Sequence, residues 1–387
     1  MLEQIRPNWN RLILGMAVLN LGLISGSCAD TETGHAAHAE YLSLSRFTDP
    51  GPQTQMLDVL PHDPVQIAAV AKNLTVHQNL LPYFGLPKEQ WSEVPTVWPP
   101  KAADVLVALS ESGPGDLLAE REIKTRLRSA CMLESHLLAT MLRHRQIPVR
   151  IRAGYFRDVY TNEDHLLAFW EKNARDNGVA KQLLEEDPER WREVNHEYTR
   201  QQIAVNKCVE HWVAEYWDSK QEAWRRLDAN NTFLKAMSGI DVDFHLPGTY
   251  FEYAYESWQK MRTADDFDPD QYAEWPQDGR SHIRGQLLWD FYSLLNHDIA
   301  GYDKTAWPDE GLTTAERDAY AFVKETKYEN VSPDELAELD ALARLLSGDP
   351  DVDDLLQFYD TSKHLRIATI DSDAHSFPSQ RRHSTRQ

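Results

Sequence analysis

The feature that most constrains this chain is a change of period at Pro148. From Cys131 to Arg145, Leu133, Leu137, Leu138, Met141 and Leu142 recur at helical spacing, so one face of a helix is apolar and must be buried. Pro148 stops that helix, since proline lacks the N–H that the next turn needs. Val149, Ile151 and Ala153 then alternate with Arg150 and Arg152, the period-2 pattern of a strand. Two further strand-like runs, 209–217 and 224–229, flank Asp218-Ser219-Lys220-Gln221 and read as a hairpin. A helix feeding a strand, followed by an antiparallel hairpin, predicts an α+β fold in which the Cys131 helix packs on an antiparallel sheet.

The remaining segments are assigned around this unit. Residues 157–207 are strongly charged, with helical patterns at 163–176 and 180–202, and form a helical insertion. Its Trp170, Leu183, Leu184 and Trp191 need an apolar surface to cover, either as an ordinary helical decoration or as a lid beside the cleft. A helix is expected at 65–76 after Pro64, irregular chain at 82–100, and a mainly helical approach at 104–128. Residues 282–296 carry Leu287, Leu288, Phe291, Leu294 and Leu295 at helical spacing, and Ser332-Pro333-Asp334-Glu335 is a capping box for a helix ending before Gly348. The expected organisation is a signal at 1–28, a flexible linker at 29–55 and a main domain at 56–300 whose core is 104–232. A helical C-terminal region at 301–375 and a disordered tail at 376–387 complete it.

Composition removes some function classes. The net charge of −21 over 387 residues repels a phosphate backbone, so nucleic acid is not an expected partner. Arg6 and Arg11 precede an apolar run at 12–25 and then Gly26-Ser27-Cys28. This reads as an export signal, and Ile24-Ser25-Gly26-Ser27-Cys28 is similar to a bacterial lipoprotein signal, in which an acylated Cys28 would attach the mature protein to a membrane. The other reading is a buried or membrane-associated helix. Export places the protein in the cell envelope, an oxidising setting in which Cys131 and Cys208 could pair.

The chemistry centres on Cys131. A thiol becomes a nucleophile as its thiolate, which a helix N-terminus and a nearby imidazole stabilise. The hairpin supplies the imidazole: with Asp218-Ser219-Lys220-Gln221 as the turn, Trp217 faces Glu222 and His211 lies opposite Asp228 on one face. Slipping the turn by one residue at both ends sets Asp228 opposite Val213, still on that face. An Asp beside a His fixes the ring tautomer and stabilises the imidazolium, so Cys131, His211 and Asp228 are the candidate catalytic residues. By strand alternation Cys208 points away from that face, which argues against a disulfide with Cys131.

Cys131 opening a helix that ends in Arg-Gln-Ile-Pro-Val-Arg, then Glu-His-Trp-Val-Ala-Glu-Tyr-Trp-Asp, then Trp-Arg-Arg-Leu-Asp-Ala together resemble the three motif blocks of the transglutaminase-like superfamily. The stretch Ser281-His282-Ile283-Arg284-Gly285-Gln286-Leu287-Leu288 is similar to a tail of uncharacterised bacterial members. The resemblance implies a papain-like core over residues 104–232, with Cys131 as nucleophile, His211 as base and Asp228 as orienting acid. It implies thiol-dependent acyl transfer or hydrolysis on a protein, peptide or small amide substrate, with no cofactor and no metal. The alternative is a catalytically silent binding or scaffold protein of the envelope. Family members often carry Gly and an aromatic residue beside the Cys, whereas here the setting is Ser129-Ala130-Cys131-Met132-Leu133. The backbone N–H of Cys131 then serves as one oxyanion donor, and the second is unassigned. Asp349, Asp351, Asp353 and Asp360 imitate a calcium loop, but Asp354 stands where glycine is required. His297-Asp298 reads as an exposed helix end.

Overall fold

The computed structural model describes residues 38–175, 178–274, 277–299 and 312–367. The signal segment with Cys28, the first part of the linker and the 376–387 tail lie outside them. Helix α1 (Pro64–Leu74) is capped by Asp63, whose carboxylate accepts the Gln66 N–H, and has proline in its first turn. It ends sooner than its apolar pattern suggests, because Thr75–His77 becomes strand β1. After irregular chain comes α2 (Ala102–Ser112) and then β2 (Leu127–Ser129), which pairs with β1 in parallel. Ala130, extended, leads into α3 (Cys131–His144) with Cys131 as its first residue. Gln146 at φ 59° turns the chain ahead of Pro148, and β3 (Val149–Phe156) follows, buried throughout.

Strands β4 (Val209–Asp218), β5 (Ala223–Leu227) and β6 (Phe251–Tyr253) complete an antiparallel sheet of order β5-β4-β3-β6. The fold is therefore α+β, with α3 against β3 and β4. Strand parity divides the sheet. Ile151, Ala153, Tyr155, Trp212, Ala214 and Tyr216 join the main core, while Phe156, Val213 and Phe251 join a second cluster. That second cluster takes Leu166 and Phe169 from α4 (Glu163–Ala174) and Phe233, Leu234 and Met237 from α7 (Asn231–Ser238). The insertion thus contributes to a core of its own with the sheet. Pro188 splits its second expected helix into α5 (Gly178–Glu186) and α6 (Pro188–Ala204).

Strand β6 pairs only with residues 154–156 of β3, which leaves the rest of that edge without a strand. Helix α9 (Gly279–Leu294) takes its place: Asp290 accepts the Ala153 N–H at 2.9 Å and binds Arg152 through both carboxylate oxygens at 2.8 Å. Glu215 accepts from Arg150 at 2.9 Å. Burial pushes its carboxyl up, yet Arg150 and Arg152 outweigh this and hold it at about 2. Gly154 is required at the β6 contact, because a Cβ there would stand 2.2 Å from the Glu252 carbonyl oxygen.

Two expectations change. The linker does not extend to 55: from His38 the chain is folded, with Tyr41 and Phe47 buried, Arg143 donating to the Tyr41 carbonyl and to Thr48 Oγ1, and Thr140 donating to the Thr48 carbonyl. Short polar sequence looked like a tether because its anchors lie on α3. The C-terminal helices α10 (Thr314–Tyr320), α11 (Pro333–Ser347) and α12 (Val352–Thr361) belong to the same compact unit as the sheet. Arg284 binds Glu335 at 2.7 Å, and Trp258 of α8 (Ala254–Thr263) binds Asp340 at 2.9 Å. Ser332 caps α11 by accepting the Glu335 N–H, but the Glu335 carboxylate binds Arg284 instead of closing the expected capping box.

Removing one member of the Arg152–Asp290 pair leaves a buried charge without its partner. Asp290→Ala is expected to lower the unfolding free energy in urea by about 3–5 kcal/mol, whereas Arg190→Ala, which breaks an exposed pair on α6, leaves the midpoint unchanged within error.

Candidate active site

The hairpin places its histidine and aspartate in contact, by a register other than the one first expected. Trp217 pairs with Trp224 and Asp218 with Ala223, because Glu222 adopts a positive φ of 49° and joins the loop. Extending the ladder by one pair aligns Asp228 with Val213, the slipped alternative, so parity keeps Asp228 on the His211 face. Past the end of β5 the Asp228 N–H donates to the Phe244 carbonyl at 2.8 Å, and Oδ1 accepts the Asn230 N–H at 2.8 Å. Oδ2 then stands 3.2 Å from His211 Nε2. The two atoms are at ion-pair distance without being aligned as a hydrogen bond. Phe156 stacks on the His211 ring, with centroids 3.5 Å apart and planes inclined by 15°. Phe156 thus covers one face of the ring while Asp228 meets its Nε2 edge, and Nδ1 is the nitrogen turned away from Asp228.

The neighbours of Cys131 in sequence lead back to this pair. Ser129, two residues before it, is paired in the ladder with His77, a residue on which the charge of His211 acts. Glu134, one turn after it, lies close enough to Asp228 for the two carboxyls to repel. The segment carrying Cys131 is thus bracketed at both ends by groups that interact with His211 or Asp228. As the first residue of α3, with Ala130 supplying no side-chain cap, Cys131 sits where the helix dipole favours a thiolate. All three residues are buried, at 6%, 1% and 3% exposure for Cys131, His211 and Asp228.

Glu134 is a member of the site that sequence reasoning missed. Its Oε1 accepts from Ser129 Oγ at 2.5 Å, and its carboxyl is buried beside Thr75. Burial pushes this carboxyl up to about 8, with Asp228 adding to the effect against the Ser129 hydrogen bond. Lys72 donates to Asn231 Oδ1 at 2.6 Å and is held below the usual lysine range by burial. No signal in the sequence marks Glu134, because it falls on a helix read only for its apolar residues.

The other candidates take structural places. Cys208 precedes β4 and, like Cys131, remains a thiol. Burial pushes the Cys208 thiol up to about 12, which keeps it unreactive at neutral pH. Glu210, Glu274 and His282 are grouped closely enough to hold a metal ion, but Lys324 already donates to Glu210 at 3.1 Å. His282 Nδ1 is 2.7 Å from the Tyr272 carbonyl oxygen and Nε2 is 2.8 Å from Glu210, so both ring nitrogens already have partners within the protein. Asp351 caps α12 through the Asp354 N–H, and Asp349 pairs with Arg150 at 2.7 Å, so these two members of the acidic run have structural places. Asp298 is not an exposed helix end: it is buried 3.1 Å from His136 Nε2 and accepts from Ser45.

Comparison of the chain with protein families, with curated proteins and with solved structures finds no match.

A carboxyl whose pKa is raised on folding contributes stability that is present below its unfolded value and lost as pH rises through its folded value. Between about 4.5 and about 8, Glu134 should therefore make the native protein less stable as pH increases, by up to about 1.4 kcal/mol per pH unit. Glu134→Gln, which keeps the shape and an acceptor for Ser129, should remove that part of the slope when urea unfolding is compared at pH 5 and pH 8.

Proposed function

We propose that the chain is a transglutaminase-like cysteine acyltransferase or hydrolase, built on a papain-like core and acting on an amide or peptide through Cys131, His211 and Asp228. The observation that carries this reading is the 3.2 Å approach of Asp228 Oδ2 to His211 Nε2, which leaves Nδ1 for a thiol proton. Support comes from Cys131 at the first position of α3 and from the two bridges that tie its flanking residues to the pair.

In this mechanism His211 takes the Cys131 proton at Nδ1, and the sulfur adds to the substrate carbonyl carbon. The tetrahedral adduct collapses as the C–N bond breaks, and His211 returns the proton to the departing amine. Asp228 holds the ring and stabilises the imidazolium. The thioester is then resolved by water, giving a protease or amidase, or by an amine, giving a transglutaminase. Protein, peptide and small amide substrates all supply the carbonyl that this chemistry needs.

The export signal supports action in the cell envelope, with attachment to a membrane if Cys28 is acylated. Among the described residues no helix is long and apolar enough to cross a membrane. The second reading, a catalytically silent binding or scaffold protein, is favoured by one observation, the nearly complete burial of all three residues.

Iodoacetamide distinguishes the two. The active reading expects stoichiometric alkylation of Cys131 near pH 7 with Cys208 untouched, slowed by about 10²-fold or more in His211→Ala and by less in Asp228→Asn. A Cys131 no more reactive than Cys208 by peptide mass mapping would favour the silent protein.

A further inference from the structure

A second histidine lies beside the site and has no part in the triad. His77 ends β1, where its ladder partner is Ser129, two residues ahead of Cys131. Its ring packs on Phe233 with centroids 4.6 Å apart, and it lies close enough to His211 for a charge on that ring to act on it. Nδ1 accepts the Asn79 N–H at 3.2 Å, which assigns the ring hydrogen to Nε2, on the outer edge of the ring. No described residue accepts that hydrogen. Burial, then the charge of His211, pushes the ring down to about 3, so at working pH it is a neutral N–H donor. A neutral imidazole donates a hydrogen bond without surrendering its proton, the property required of a group that stabilises a developing oxyanion.

We propose that His77 is a catalytic residue that supplies the second oxyanion hydrogen bond, from Nε2–H, alongside the backbone N–H of Cys131. This rests on the acyl-transfer reading. As the Cys131 sulfur bonds to the carbonyl carbon, the π pair moves onto oxygen, and His77 and the Cys131 N–H share that charge. When the C=O bond re-forms and the leaving group departs, both hydrogen bonds weaken and no proton has moved to or from His77.

The test compares two reactions of Cys131 in the full chain. Alkylation by iodoacetamide passes through no oxyanion, whereas acetylation by p-nitrophenyl acetate does, and the nitrophenolate burst together with the acetyl mass on Cys131 reports it. His77→Phe should slow the burst by about 10²–10³-fold while alkylation stays within about two-fold of the parent, since the thiolate and its base are untouched. His77→Gln, which restores an N–H donor, should recover at least about ten-fold of the lost burst rate, and it also serves if the Phe variant melts early. Equal losses in burst and alkylation would show that His77 supports the Cys131–His211 pair instead, and an unchanged burst would remove it from the site. A parent protein that alkylates at Cys131 but forms no acetyl-enzyme also overturns the proposal. One whose Cys131 does not alkylate overturns the acyl-transfer reading itself.

Discussion

Arg152, buried in the centre of the sheet, is the point on which the architecture depends. A guanidinium in that position is tolerable only if its charge and donors are met, and Asp290 and Glu215 meet them. Asp290 also takes the Ala153 N–H, so one carboxylate both secures α9 to the sheet and meets one N–H of the edge that β6 leaves uncovered. Arg150 and Arg152 share a face, and both use Glu215 of the next strand. A shift of β4 by one residue would turn Glu215 to the other face and strand both cations. The β3–β4 register is fixed by this requirement, and it is the register that brings His211 opposite Gly154 and beneath Phe156.

From that position the site connects to the insertion through aromatic contacts. Phe169 of α4 meets Phe233 edge to face with centroids 6.2 Å apart, and Phe233 meets His77. His77 feels His211, which stacks on Phe156. A segment that interrupts the motif order in sequence is therefore continuous with the site in space. Its Leu166 and Phe169 join Phe156 and Val213 in the apolar cluster on the face of the sheet that bears His211.

Much of the site was legible because it rests on local pattern. Helical spacing after Cys131 and the break at Pro148 located α3 to within a residue of its end. Parity along the hairpin placed His211 and Asp228 on one face even though the turn differed. The register error came from Glu222, whose positive φ is a backbone choice that an ordinary residue makes only when the surrounding strands require it. Glu134 and His77 escaped notice for another reason. Their significance comes from a buried carboxyl at 134 lying near Asp228 and from a three-residue parallel pairing of β1 with β2, and neither contact leaves a periodic trace. The segment from His38 to Gln55 looked like a tether because its apolar anchors are few, and the groups that hold it, Thr140 and Arg143, lie far away in the chain.

The sequence by itself determined the α+β class, the helix opened by Cys131, and the pairing of His211 with Asp228 across a hairpin. Each follows from periodicity, proline placement and strand alternation, which are properties of neighbouring residues. Tertiary structure alone decided the depth at which these groups are buried, the charges that Arg152, Asp290 and Glu215 must balance, and the presence of Glu134 and His77 beside the pair. Those outcomes depend on which distant segments share a low-dielectric interior, where burial and neighbouring charge set the protonation of each group.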